Sequence, residues 1–171
     1  MSDDVRIRLT WDEILEAALV GCVTNIDSLK RKYVPGNNAP EEENWTFNIE
    51  GRCGEKAVAK HFGVYWAAMT NMGNPKADDV GPYQTKTNTS RKWDDLILRD
   101  SDNIDRNYIS VLSFLPDFVI TGWMEGTEVK QEKWRREGSP GRAPAFFFPR
   151  KLLHPLRTLP GLVVARRRPL V

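Results

Sequence analysis

Two carboxylates stand side by side in ADDVGPYQTKT, residues 77–87: Asp78 and Asp79 precede a Gly-Pro turn, Gln84 follows it, and Lys86 comes two places later. Acids, an amide and a lysine at this spacing are the groups that hold a hard divalent cation and position a water for hydrolysis. Strand alternation over YQTKT puts Gln84 and Lys86 on one face and Tyr83, Thr85 and Thr87 on the other. An ordinary edge strand with a wet polar face gives the same pattern, and the local sequence leaves both readings open.

A third carboxylate lies upstream in GRCGEKAVAKHFG. At 100° per residue, Gly51, Gly54, Glu55, Val58, Ala59 and Phe62 share an arc of about 140°, while Arg52, Lys56 and Lys60 fall outside it. On this reading the small and apolar stripe faces a sheet, the cations face solvent, and Glu55 is a carboxylate on the buried side. Burying an ionised carboxylate costs on the order of several kcal/mol unless a cation or hydrogen bonds compensate. A boundary glutamate reaching round to water or to a lysine is the alternative. Gly51 and Gly54 on the same stripe permit close backbone approach to a sheet or a ligand.

In order and spacing, Glu55 on a helix, Asp79 at a bend and Gln84-Thr85-Lys86 on a strand resemble the PD-(D/E)XK nuclease superfamily over roughly residues 50–123. The N-terminal helix and the segment RAPAFFFPRKLLHPL look similar to those of small phage-encoded members. The resemblance implies a restriction-endonuclease-type α/β (α+β) core, with a central mixed or antiparallel sheet flanked by helices. It implies hydrolysis of DNA phosphodiester bonds with Mg²⁺ or Mn²⁺. Asp79 is then the principal metal ligand, and Glu55 is a second ligand or a holder of metal-bound water. The Gln84 amide oxygen and the Thr85 carbonyl complete the set. Lys86 orients the nucleophilic water and stabilises developing negative charge. Asp78 competes for the role of Asp79, which is favoured because DVG fits the end of the first hairpin strand.

Two departures from the family's commonest form stand out. Gln84 replaces the usual glutamate, which implies weaker binding of one ion and a preference for Mn²⁺ over Mg²⁺. No helix is evident between the motif strand and DDLIL, YISVLSF and DFVITGW. A catalytically inactive, nuclease-like module that binds nucleic acid or a host protein is the alternative function.

Charge is distributed unevenly. Residues 130–171 contain eleven Lys and Arg against two Asp and Glu, and the rest of the chain contains fourteen against twenty-one. A basic segment on an acidic protein is a candidate polyanion surface. Arg91 and Lys92 are placed to reach phosphates beside the scissile one, and Lys130, Lys133, Arg135, Arg136 and Arg142 form a candidate backbone-binding rim. Solvated surface cations are the alternative for each. The ARRRPLV end reads as a flexible tail adding salt-sensitive affinity. His61 and His154 lack ligand spacing, and Trp45, Trp66, Trp93 and Trp123 read as core or rim packing.

With 171 residues, 40% of them hydrophobic and 28% charged, the chain is expected to form a single globular domain with its own core. No apolar run approaches the roughly 20 residues of a membrane span, and the acidic N-terminus is unlike a secretory leader. Cys22 and Cys53 lack a CxxC partner and read as reduced thiols of a cytoplasmic protein, in a bacterial host if phage-encoded. Thr10 and Glu13 form a capping box for a helix over 11–31. VPGNNAPEEEN reads as an exposed loop, followed by a helix through GRCGEKAVAKHFG that Gly63 ends. VYWAAM, YQTKT, DDLIL, YISVLSF and DFVITGW read as strands of a largely antiparallel sheet, with RDSDNIDRN a turn between two of them. A Pro-rich basic tail follows, with room for one short helix or strand.

Overall fold

A computed structural model of the chain describes residues 3–32, 38–67, 77–89 and 93–161. The expected site residues Arg91 and Lys92, the ARRRPLV tail and the end of VYWAAM lie outside the described residues.

A short strand, β1 (Val5–Arg8), which the sequence patterns did not assign, precedes the first helix. VRIR alternates apolar and basic side chains, and Val5 and Ile7 pack against the main core. Helix α1 (Trp11–Lys30) begins at the expected capping box: Thr10 Oγ1 accepts from Glu13 N–H, and Glu13 accepts from Thr10 N–H. Helix α2 (Glu41–Phe62) is longer than expected. The PEEEN stretch is its first turn rather than loop, since a proline at the entry followed by Glu41, Glu42 and Glu43 suits the positive end of the helix dipole. Gly63 closes α2 in the left-handed conformation, φ 67°.

The two helices touch where Gly21 meets the backbone of α2. A Cβ there would lie 2.7 Å from Ile49 Cα and 2.9 Å from Asn48 O. Beside this contact the buried Asn25 accepts from Asn48 Nδ2 at 2.9 Å. Arg52, Lys56 and Lys60 do not point into solvent as expected. Lys56 and Lys60 reach across to Glu16 and Glu13 of α1, and Arg52 turns to Glu55.

Strands β2 (Gln84–Asn88), β4 (Asn107–Phe114) and β5 (Asp117–Glu125) join β1 in a four-stranded sheet of order β1-β5-β4-β2. Neighbours in it are antiparallel except β2 and β4, which run parallel, so the sheet is mixed, with two of its three pairings antiparallel. The reason is that β3 (Leu96–Leu98) leaves this sheet. It joins β7 (Ala145–Phe148) and β6 (Arg135–Arg136) in a second sheet of order β3-β7-β6, so RDSDNIDRN links two sheets and not a hairpin. Val64–Ala67, expected as a strand, has no strand pairing. The basic segment after residue 130 is also more structured than expected, with two strands and 3-10 turns at Glu132–Trp134, Arg150–Leu152 and Leu156–Thr158.

The four-stranded sheet thus lies between two apolar layers. Ile109, Val111, Phe118 and Ile120 face α2 and α1 with Cys53, Val58 and Phe62. Tyr108 and Met124 face the second sheet and the short helix α3 (Gly126–Val129) with Leu96, Leu98, Phe146 and Phe148. Mixed α and β structure in two sheets is therefore established, and none of the described helices is long and apolar enough to cross a membrane.

The two glycines of this helix pair predict opposite outcomes in urea unfolding. Gly21→Ala forces Cβ against backbone and is expected to destabilise by about 1–3 kcal/mol. Gly51→Ala meets nothing within 4 Å, and in a helix interior is expected to stabilise by about 0.5–1 kcal/mol.

Candidate active site

The edge strand β2 carries the motif and has two differently covered faces. Thr85 and Thr87 stand opposite Ile109 and Val111 on the side covered by α2. Contact there is close: a Cβ on Gly54 would lie 2.0 Å from Thr87 Oγ1. Gln84 and Lys86 project from the other face, opposite Tyr108 and Ser110. The expected alternation holds, and it separates Lys86 from the helix side of the sheet.

Asp79 sits just before the turn that feeds β2, where Val80 and Tyr83 form an antiparallel bridge across Gly81 and Pro82. Its Oδ2 accepts from Thr85 N–H at 2.8 Å, which ties the turn to the strand. Glu55, 7% exposed, extends from α2 toward it. Arg52 Nη1 donates to both Glu55 oxygens, at 2.9 and 3.0 Å, and Trp66 Nε1 donates to Oε2 at 3.1 Å. Burial nevertheless pushes the Glu55 carboxyl up to about 7, Asp79 adds to the rise, and Arg52 and Trp66 only partly offset it. Asp79 is also raised, chiefly by burial, against the opposing pull of the Thr85 N–H, Lys86 and Arg52. Glu55 and Asp79 are therefore neighbouring acids whose ionisation burial disfavours, with the Asp79 charge adding to the rise at Glu55 and the Asp78 charge to the rise at Asp79.

Lys86 is brought within electrostatic reach of Asp79 but is held elsewhere. Its Nζ donates to Asp102 Oδ1 at 2.6 Å and lies 5.8 Å from the centre of the Tyr108 ring. Asp102, in the turn after β3, also accepts from Arg99 N–H at 2.7 Å. Sequence reasoning missed Asp102, whose only signal was membership in the polar turn RDSDNIDRN. Gln84 is likewise occupied, since its Nε2 donates to Ala77 O and Asp78 Oδ1, both at 3.1 Å. Asp78 pairs in addition with Arg106 at 3.1 Å. The two adjacent aspartates are thus distinct: Asp79 faces Glu55, whereas Asp78 is bound by Gln84 and Arg106. Among the described residues no group of three or more His, Cys, Asp or Glu side chains is arranged to hold a metal ion.

Beyond Lys86 the surface opens into a cleft of about 370 Å³. Lys86, Arg99 and Arg142 contribute cations to its wall, Asp95 an acid, and Phe47, Trp93 and Phe147 aromatic rings. Trp93 is 55% exposed and forms a wall of this cleft, on the rim rather than in the core. Trp66 and Trp123 are core, as expected. Burial and the nearby Arg142 both lower the pKa of Arg99, and a buried Nη1 of Arg142 has no hydrogen-bond partner.

Of the expected rim, only Arg142 lines the cleft, and its other nitrogen pairs with Glu43. Arg135 forms a two-pronged pair with Asp100, and Arg136 lies 3.9 Å from Asp95. Lys130 donates to the carbonyls of Asp100 and Asp102 at 2.8 Å. Lys133 is exposed beside the Trp134 ring. Much of the basic excess in the C-terminal segment is therefore spent on internal acids. His154 stacks on Trp123, 5.1 Å between ring centres, a structural role consistent with its lack of ligand spacing.

Comparison with protein-family models, with curated proteins and with solved structures returns no match.

Burial of Glu55 carries a pH dependence of determined sign. Below about 4.5 the carboxyl is protonated in folded and unfolded chains alike; as pH rises toward about 7 the unfolded chain ionises first and the fold loses stability. Urea midpoints of the wild type are expected to fall across this window more steeply than those of Glu55→Gln. A carboxyl ¹³C titration is expected to place Glu55 near 7, and Asp79→Asn to lower it.

Proposed function

We propose that the protein is a metal-dependent nuclease that hydrolyses DNA phosphodiester bonds, with Asp79 and Glu55 holding the cation and Lys86 serving the attacking water. The observation that carries this reading is the buried Glu55–Asp79 pair. Two neighbouring acids, both raised chiefly by burial and Glu55 further by the charge of Asp79, form a site whose electrostatic frustration a divalent cation relieves, and such perturbed groups cluster at functional sites. Asp79 and Glu55 fit a single hard cation; Gln84 has its nitrogen committed to Asp78 but its oxygen remains a candidate donor. Such an ion supplies Lewis acidity and lowers the pKa of a water. In the chain itself, the Thr85 N–H fixes the orientation of Asp79 and Arg52 holds Glu55. Lys86, released from Asp102, is the cation that reaches a developing phosphoryl charge. The adjoining cleft, with its cations and rings, supports a nucleic-acid substrate.

A second reading is favoured by the way these groups are occupied. Arg52 on Glu55, Asp102 on Lys86 and Gln84 on Asp78 also describe a nuclease-like module that binds nucleic acid, or a host protein, without cutting.

Linear, nicked and branched DNA incubated with Mg²⁺ or Mn²⁺ separates the two. The nuclease reading expects metal-dependent cleavage that falls at least about 100-fold in Asp79→Asn and in Lys86→Ala, while thermal unfolding shows both variants folded. A wild type that shifts DNA in a gel but leaves it intact under every condition supports the binding module instead. In either case Trp93→Ala is expected to weaken single-stranded oligonucleotide binding roughly tenfold, read by fluorescence anisotropy, because stacking on one ring contributes about 1–3 kcal/mol per base.

A further inference from the structure

Helix α1 is apolar on both sides. Ala17, Val20, Gly21 and Asn25 are buried toward the rest of the fold. Trp11, Leu15, Leu19, Val23, Ile26 and Leu29 are exposed, Trp11 at 75%, Leu15 at 60% and Leu19 at 58%. At 100° per residue these six fall within an arc of about 120° that points away from the buried face. Together they present on the order of 600 Å² of apolar surface, the upper end of what a monomer carries in one patch. Two such faces offer about 1,200 Å², the size of a specific interface.

The charges beside the stripe identify what covers it. Glu13 and Glu16 are taken by Lys60 and Lys56, and Arg31 by Asp27. Asp12 at the start of the helix and Lys30 at its end remain exposed. They are eighteen residues apart, five full helical turns, so they sit on the same flank of the stripe about 27 Å from each other. Both are nine residues from Gly21. When two copies of such a helix pack antiparallel about a two-fold axis at the level of Gly21, like flanks meet, and Asp12 of each chain comes opposite Lys30 of the other. The same operation sets Leu15 near Ile26 and places Leu19 at the centre. An anionic bilayer is a poor occupant, since Asp12 and Glu16 line the edge where a membrane-binding helix carries cations.

We propose that the protein forms a two-fold symmetric dimer in which the exposed face of α1 packs antiparallel on α1 of a second copy, with two Asp12–Lys30 pairs closing the ends of the apolar seam. The interface is isologous and closed, as two-fold contacts are. This inference is independent of the nuclease reading, because none of the six exposed stripe residues of α1 belongs to the site or lines the cleft, the contact of α1 with the site being Thr24 on another face, which accepts from Arg52.

Sedimentation equilibrium of the full chain tests it. The wild type is expected to be dimeric, and Leu19→Glu monomeric with unchanged helical circular dichroism. Asp12→Lys is expected to weaken association at least about tenfold, and Asp12→Lys with Lys30→Asp to restore it. A wild type that stays monomeric up to about 0.1 mM overturns the proposal, as does a dimer that survives Leu19→Glu. Association that ignores the Asp12→Lys reversal also overturns it. A monomer that co-floats with phosphatidylcholine vesicles assigns the face to lipid instead.

Discussion

Where α2 crosses the edge strand β2, no atom larger than hydrogen fits on Gly54: a Cβ would collide with Thr87 Oγ1 at 2.0 Å. The next residue, Glu55, is buried in α2, the helix that contributes Val58 to the core shared with Val111 and Ile109, and it feels the charge of Asp79 in the turn before β2. The facing of Glu55 and Asp79, and the rise in both their pKa values, follow from that packing.

A carboxylate buried in this way demands compensation, and the surrounding charges are arranged accordingly. Arg52 turns back along α2 to Glu55, and Trp66 closes over it with its only donor. Asp79 is secured by a backbone N–H. On the opposite face of β2, Lys86 and Asp102 form a second, half-buried pair against Tyr108, in the layer built by the second sheet. Asp79 lies at the strand's entry and feels both groups, so it links two layers whose charges would otherwise be independent. The cleft beyond Lys86 exists because β3 and β7 diverge from the first sheet. Phe147, Ile97 and Arg99 then form a wall facing β2.

Local rules made part of this legible. The Thr10–Glu13 box, the Gly63 cap, the alternation of β2 and the β-rich runs at β4 and β5 each depend on neighbours within a few residues, and each forms where the pattern places it. Glu55 was legible as buried because a stripe position on a helix implies a buried side chain, and only the family resemblance set Asp79 beside it. PEEEN was misread because polarity was weighed above its Pro-then-acid order, a helix-entry signal. VRIR was passed over because its acidic flank obscured a two-residue period.

Composition and periodicity determined two long helices followed by a strand-rich stretch, that Glu55 is buried and that Gln84 and Lys86 share a face. Those are properties of segments, fixed by the 100° and 180° repeats of single elements. Which charge meets which was decided only by tertiary structure. Arg52, outside the apolar stripe, still reaches Glu55 because an arginine side chain spans a full helical turn. Lys86 meets Asp102, sixteen residues away, because β3 departs to another sheet and returns the chain under β2. Ion pairing acts through space with little regard for sequence distance. The partners of Glu55, Lys86 and the C-terminal arginines therefore became known only once the sheets were in place.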